Sequence, residues 1–220
     1  MIDNKEITVE EIFNLALKKH QENKHAEAQD LYNQVLKIDP NHSNALNNLG
    51  VLFKQLKKNY KAVSCFEKVI KIDPTNFNAL NMLGNTYKEL KEIQKAIECY
   101  EKAIKIDQRY VIAHNNLGVL LEQLGEVQKA KACYEKAIEI DPKYVRGHSN
   151  LGIVLRDLGE YQKAKTCFEK AIEIDPKYVT AHNQLGVTLT KLEEYKKAKV
   201  CYEKAIEINP DYIEAYNNLG

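Results

Sequence analysis

Apolar positions in this chain follow the spacing of amphipathic helices. In residues 111–144, apolar or small side chains recur at steps of one and three, as an α-helix requires for one buried face. These positions are Ala113, His114, Leu117, Gly118 and Leu121. The pattern predicts an amphipathic helix with this face in a core.

A second helical stripe follows after a short break. It consists of Ala130, Cys133, Tyr134, Ala137 and Ile138. The sequence Leu124-Gly125-Glu126 predicts a turn between the stripes. Asp141-Pro142 predicts the end of the second helix, because proline lacks an N–H donor and its predecessor avoids helical backbone angles. The stretch is therefore expected to form two antiparallel helices joined by a tight turn.

The same arrangement returns every 34 residues along the chain. All five cysteines keep this step: Cys65, Cys99, Cys133, Cys167 and Cys201. Six glycines keep it too: Gly50, Gly84, Gly118, Gly152, Gly186 and Gly220. A fixed period of this length is typical of one supersecondary unit stacked on copies of itself.

From the second unit onward, the recurring glycine lies inside the first helix, where glycine costs about 1 kcal/mol relative to alanine. Close packing is expected to offset that cost. We expect Gly118 to face Ala130 on the second helix, so that the two backbones approach closely. The first unit has Ala16 and Ala28 at these places. Thr8 and Glu11 are spaced as a capping box, which predicts the start of the first helix.

The order of Leu and Gly, then Ala, an aromatic residue, Ala and finally Pro resembles the tetratricopeptide repeat. The resemblance places the repeats at 9–42, 43–76, 77–110, 111–144, 145–178 and 179–212, with a partial seventh at 213–220. It implies an all-α fold, a single right-handed superhelical solenoid over residues 1–220, with the first helices on its concave side. His114, His148 and His182 stand where the family often has tryptophan. Gln108 replaces the closing proline of the other repeats.

Composition narrows the classes of function. The 220 residues are 44% hydrophobic and 29% charged, with a formal net charge of +1. Neither half is strongly basic, which argues against a nucleic-acid or membrane-surface partner. No apolar run approaches the ~18 residues of a membrane span, and Met1-Ile2-Asp3-Asn4-Lys5-Glu6 has no signal pattern. The predicted location is therefore the cytoplasm.

No catalytic or metal-binding motif is present, so the chain is predicted to be neither an enzyme nor a carrier of a cofactor. Equivalent residues of stacked helices lie ~8–10 Å apart, too far for a disulfide or for two histidines to share zinc. The cysteines and His114, His148 and His182 are therefore interpreted as core residues. His114 and Cys133 could meet within one repeat, but two ligands make a poor metal site.

The face opposite the buried stripe of the first helices is rich in asparagine. Each amide offers two donors and an acceptor, which match the N–H and C=O groups of an extended peptide. Neighbouring aliphatic residues would contact aliphatic parts of that ligand. The predicted groove residues are Asn14, Asn47, Asn48, Asn81, Asn85, Asn115, Asn116, Val119, Asn150, Ile153, Asn183 and Gln184.

This groove is similar to the asparagine-lined repeats of O-linked N-acetylglucosamine transferase, where an amide ladder holds peptide backbones. The similarity implies that role for Asn48, Asn116 and Asn150, and more weakly for Asn14 and Asn218. Met82 and Gln184 interrupt the ladder. The alternative is that the amides cap turns, bridge adjacent helices or face water.

Three functions are consistent with the sequence. The first is a non-catalytic scaffold that binds proteins or extended peptides in the asparagine-lined groove. The second is the substrate-recruiting arm of a larger enzyme, such as a glycosyltransferase, whose catalytic domain lies beyond residue 220. The third is a self-assembling module, because Tyr202 and Ile208 would be only partly covered by residues 212–220 and the open end could pair with another copy.

Overall fold

The computed structural model describes residues 7–219, which form thirteen α-helices and no strand. The predicted all-α fold of stacked helix pairs is confirmed. The chain divides into two compact units, Met1–Gln108 and Arg109–Gly220. The predictions made for Met1 to Glu6 and for Gly220 lie outside the described residues.

The first unit contains three helix pairs, and a tight turn joins the two helices of each pair. Its helices are α1 (Val9–Gln21), α2 (His25–Ile38), α3 (Ser43–Gln55), α4 (Asn59–Ile72), α5 (Phe77–Glu89) and α6 (Ile93–Ile106). The predicted capping box begins α1, where the Glu11 N–H donates to Thr8 Oγ1 at 3.2 Å and the Thr8 N–H donates to Glu11 Oε2 at 2.8 Å. Two N–H groups that the helix leaves unpaired are thereby satisfied.

The second unit contains three further pairs and a short final helix. Its helices are α7 (Val111–Gln123), α8 (Val127–Ile140), α9 (Val145–Asp157), α10 (Tyr161–Ile174), α11 (Val179–Lys191), α12 (Tyr195–Ile208) and α13 (Ile213–Leu219). The second helix of each pair ends at the residue before Asp141, Asp175 or Asn209, whose backbone is extended. The aspartate and proline signals therefore mark the helix ends, as predicted.

Close contact between the helices of a pair depends on the recurring glycine, but the partner differs from the expected one. A Cβ atom added to Gly118 would lie 2.6 Å from Tyr134 Cε1. The same distance separates a Cβ on Gly84 from Tyr100 Cε1. The expectation that Gly118 faces Ala130 was wrong, because the large buried ring one turn further along α8 fills the space above the glycine.

The turn inside each pair needs one residue with left-handed backbone angles. Gly125 and Gly159 occupy this place with φ of 76° and 78°. In the other pairs, this turn position is occupied by residues that adopt left-handed backbone angles less readily than glycine does. They are Asn23, Lys57, Lys91 and Glu193, with φ between 58° and 61°.

Successive pairs also contact each other within each unit. The first helices lie side by side, α1 with α3 and α3 with α5 in the first unit, and α7 with α9 and α9 with α11 in the second. Contacts between neighbouring second helices are fewer. The first helices therefore form the closer-packed side of each unit. The groove was predicted on the outward surface of these helices.

Candidate functional site

We use the term first-helix face for the surface that α7, α9 and α11 present in the second unit. Three rows of side chains, one residue per helix in each row, cover this face. The rows are Asn116, Asn150 and Gln184; Val119, Ile153 and Val187; and Glu122, Arg156 and Thr190. All are half-buried except the exposed Thr190. An aliphatic row thus runs between a row of amides and a row of mixed polar groups.

The neighbouring row of predicted groove residues does not lie on this face. Asn81, Asn115 and Asn183 are only 0%, 5% and 2% exposed, and Asn47 is half-buried. The expectation that this row lines an open groove was wrong for the three buried residues. For Asn115 and Asn183, the position on the first helix turns the amide toward the next helix pair, where α9 covers α7 and α13 contacts α11.

Within the second unit, the buried amides are bonded to the amides of the next pair. Asn150 Nδ2 donates to Asn115 Oδ1 at 2.9 Å, and Asn218 Nδ2 donates to Asn183 Oδ1 at 3.0 Å. A buried carbonyl oxygen needs such a donor, because leaving it unpaired is costly. For these four residues, the alternative that the amides bridge adjacent helices is therefore confirmed.

Each bridging amide has hydrogen-bonding groups that the bridge does not use. An asparagine side chain has two N–H donors and one oxygen. The single bond from Asn150 to Asn115 leaves the Asn150 oxygen and its second N–H on the first-helix face. Bridging and peptide binding are thus compatible for Asn150.

Gln184 interrupts the amide row and has a different partner. It accepts a hydrogen bond from the Arg156 guanidinium, which also bonds Asp157 Oδ1 at 3.0 and 3.1 Å. The Arg156 side chain therefore crosses from α9 to α11. Sequence reasoning did not select Arg156, although a cation at the place of Glu122 and Thr190 is a visible break in the repeat.

Three predicted groove residues of the first unit bond within their own helix pair. Asn14 is exposed, and its Nδ2 lies 3.4 Å from Glu10 Oε1. Asn48 Nδ2 donates to the Asn44 carbonyl at 2.9 Å. Asn85 accepts from the Tyr100 hydroxyl at 2.8 Å. Each of these three contacts is local to one helix pair.

Two histidines of the row at 114, 148 and 182 bond to backbone carbonyl groups. His148 Nε2 lies 2.9 Å from the Pro142 carbonyl, and His182 Nε2 lies 3.0 Å from the Pro176 carbonyl. Each ring therefore donates to the loop that precedes its own helix. The interpretation as a core residue is confirmed for His182, which is 7% exposed, whereas His148 is only half-buried.

Four of the five cysteines are poor nucleophiles, because the reactive form is the thiolate. Burial raises the pKa of Cys65, Cys99, Cys167 and Cys201 to about 11. Among residues 7–219, no group of three His, Cys, Asp or Glu side chains could hold a metal ion. In the same part of the chain, no helix is long and apolar enough to cross a membrane.

Sequence profiles of the tetratricopeptide repeat match most of the chain. They cover residues 12–42, 43–76, 65–98, 84–125, 109–177 and 179–212. The crystal structure of MamA is 30% identical with a TM-score of 0.67, over 74% of this chain and 95% of MamA. The chain belongs to the tetratricopeptide repeat family. Tetratricopeptide repeats are generally scaffolds that bind proteins or peptides, and no catalytic family is among the matches.

More distant tetratricopeptide repeat structures share the fold. YrrB, a repeat protein with an unusual peptide-binding site, is 22% identical with a TM-score of 0.65, over 84% of this chain and 96% of YrrB. PilF of Pseudomonas aeruginosa is 19% identical with a TM-score of 0.81, over 95% of both chains. The comparison with curated proteins gives no match.

Proposed function

We propose that the first-helix face of the second unit binds an extended peptide segment of a partner protein. The observation that carries this proposal is the aliphatic row, Val119, Ile153 and Val187, which is half-exposed and flanked on both sides by polar side chains. Apolar side chains of a ligand would contact the row. Its backbone would bond the flanking groups.

The amide row supports recognition of the peptide backbone. The oxygen and second N–H of Asn150 offer an acceptor and a donor, which suit the alternating groups of an extended chain. Asn150 is held in place by its bond to Asn115, so little side-chain entropy is lost on binding. An amide ladder of this kind would be short, because Gln184 is engaged by Arg156.

The third row supports a preference for charged groups in the ligand. Glu122 and Arg156 lie one helix apart and are both held by hydrogen bonds, Glu122 by the Tyr134 hydroxyl and Arg156 by Gln184 and Asp157. These two fixed charges favour a peptide whose cationic group meets Glu122 and whose anionic group meets Arg156. They disfavour a peptide with the two charges in the reverse order. We therefore expect binding to depend on the order of charges in the peptide.

The proposal can be tested with a peptide selected from a displayed library against the whole chain. Fluorescence anisotropy then gives its affinity for the wild type and for a Val119→Ser/Ile153→Ser variant. Loss of two aliphatic contacts is expected to weaken binding about tenfold or more. Val200→Ser on α12 is the matched control, because Val200 is 62% exposed and lies on a second helix.

A backbone-methylated version of the same peptide tests the amide contacts separately. Methylation removes N–H donors without changing the side chains, so weaker binding is expected if the amide row accepts them. Equal affinity of the wild type and the Val119→Ser/Ile153→Ser variant would overturn the proposal. Weaker binding by Val200→Ser alone would also overturn it.

A further inference from the structure

The second helices of the first unit carry a charge pattern that differs from the rest of the chain. In the second unit, a lysine and a glutamate three residues apart form ion pairs at 2.8–2.9 Å on α8, α10 and α12. These pairs are Lys136–Glu139, Lys170–Glu173 and Lys204–Glu207. At the register of these glutamates the first unit has Lys37, Lys71 and Lys105.

In the described part of the chain, the lysines near the ends of α4 and α6 are not paired with a carboxylate. Lys68 and Lys71 on α4, and Lys102 and Lys105 on α6, are exposed, and none of them forms an ion pair with any residue in 7–219. A lysine in the last turn of a helix also interacts favourably with the helix dipole. Helices α8, α10 and α12 form with no basic residue there, so helix formation does not require these lysines.

Two of the lysines border an apolar groove between α4 and α6. The groove has a volume of about 390 Å³, and Lys102 and Lys105 line it together with Glu67. Its apolar lining comes from Ile70, Leu80, Leu83 and Ile106. Glu67 accepts a hydrogen bond from the Tyr87 hydroxyl at 2.8 Å and keeps its negative charge, so the lining carries two lysines and one carboxylate. The groove therefore combines an apolar floor with an excess of positive charge at its edge.

The equivalent groove of the second unit lacks this excess. It lies between α10 and α12, has a volume of about 450 Å³ and includes Ile172 and Leu185 at the places of Ile70 and Leu83. Lys204 lines it as Lys102 does, but Glu207 stands at the place of Lys105 and neutralises that lysine. The two grooves thus have similar volumes and differ in charge, since Glu203 also lines the second one.

We propose that the α4/α6 groove is a second binding site, which holds an acidic segment of a partner protein with leucine-like side chains. The apolar side chains would fill the space above Leu80 and Leu83. Carboxylates on either side of them would pair with Lys102 and Lys105. Charge complementarity favours an acidic ligand here, and the apolar floor distinguishes a peptide from a simple polyanion.

The test uses the whole chain and a fluorescein-labelled synthetic peptide that alternates glutamate and leucine. Lys105→Glu introduces the glutamate that the repeats of the second unit have at this register. The new carboxylate would pair with Lys102 as Glu207 pairs with Lys204. The change is expected to preserve the fold and to weaken binding about tenfold. The reciprocal change, Glu207→Lys, is expected to create binding in the α10/α12 groove and to restore affinity in the Lys105→Glu background.

The apolar part of the site is tested with Ile106→Ser, which should also weaken binding. Ile38→Ser is the matched control, because Ile38 has the same register on α2, is 58% exposed and lies outside the groove. A peptide of glutamine and leucine, and one of glutamate and serine, should each bind about tenfold more weakly. Added salt should weaken the glutamate–leucine complex.

Several results would overturn the proposal. One is an unchanged affinity for the glutamate–leucine peptide after Lys105→Glu. Equal binding of the glutamine peptide would show a purely apolar site, and equal binding of the serine peptide would show unspecific attraction of anions. A change in the mass of the protein alone after Lys105→Glu, measured by sedimentation, would assign the groove to a second copy of the chain.

Discussion

The Tyr134 hydroxyl donates a hydrogen bond to the Glu122 carboxylate, with Tyr134 Oη 2.7 Å from Glu122 Oε2. The ring is fully buried under Gly118, and only its hydroxyl reaches the first-helix face. Burial and this bond raise the pKa of the Tyr134 hydroxyl above its ordinary value. One residue of α8 therefore both packs the helix pair and fixes a charged group of the candidate site.

The same relationship explains which repeats have phenylalanine. Tyr32, Tyr100 and Tyr202 each place the hydroxyl near a polar side chain of their own first helix: His20, Asn85 and Thr190. The third repeat has Lys88 at the register of Glu122, but its Tyr100 has Asn85 as an acceptor. Phe66 and Phe168 occupy this place in the two repeats that have Lys54 or Arg156 at the register of Glu122 and an aliphatic residue, Val51 or Ile153, at the register of Asn85. A cation is no acceptor, so a tyrosine there would bury a hydroxyl without that bond.

Replacing Tyr134 with phenylalanine should therefore destabilise the protein modestly. Tyr134→Phe is expected to lower the free energy of unfolding by about 1–2 kcal/mol, because it removes a hydrogen bond to a charged group and keeps the packing. Urea unfolding followed by circular dichroism measures the change. Tyr60→Phe is the control, since Tyr60 is 75% exposed and should give no shift. Equal stability of Tyr134→Phe and wild type would contradict this view of the bond.

Because Asn150 bonds the buried Asn115, removing the Asn150 amide should destabilise the protein more than removing the exposed amide of Asn14. Asn150→Ala should lower the free energy of unfolding by about 1–3 kcal/mol, because it leaves the buried Asn115 oxygen without its donor. Asn14→Ala should change it by less than about 0.5 kcal/mol, because Asn14 is exposed.

A double-mutant cycle separates the bridge from other effects of these substitutions. If the two amides interact, the losses from Asn115→Ala and Asn150→Ala should not add, and the coupling should be about 0.5–3 kcal/mol. Additive losses would show that the bridge contributes nothing to stability. Chemical denaturation of all four proteins under one buffer condition provides the measurement.

The turn inside each helix pair offers a stabilising substitution. Lys91 has φ of 61°, and a side chain in this left-handed conformation costs roughly 1–2 kcal/mol, part of which glycine recovers. Lys91→Gly should therefore raise the free energy of unfolding by about 0.5–1 kcal/mol. Gly125→Lys, the reverse change in the fourth repeat, should lower it by a similar amount. If thermal unfolding showed both variants to be less stable than wild type, this explanation would fail.

The buried thiols predict a loss of stability at alkaline pH. Burial raises their pKa from 9 to about 11 in the folded protein, so the unfolded chain ionises first. This contribution is complete below pH 9 and is lost as the pH rises from about 9 to about 11. A variant with alanine at all five cysteines should lose less stability between pH 9 and pH 10, measured by urea midpoints under reducing conditions. Equal losses in the two proteins would contradict the prediction.

The repeat made the fold predictable in detail, because the apolar stripes, the turn signals and Asp-Pro all recur in register. The site was only partly predictable. The row of Asn115 was placed in the groove because helical spacing alone cannot tell a surface open to solvent from one covered by the next repeat. The partner of Gly118 was missed for a similar reason, since ring size on the second helix decides what fills the space. The extent of a single solenoid domain over residues 1–220 stays a prediction.

The most direct test of the central claim is a methyl spectrum of the whole chain, labelled at isoleucine and valine, during titration with the selected peptide. Binding at the first-helix face predicts that the methyl signals of Val119, Ile153 and Val187 shift together. The signals of Val200 and Ile138, on second helices, should stay in place. Shifts confined to the second helices, with Val119 and Ile153 unmoved, would contradict the account.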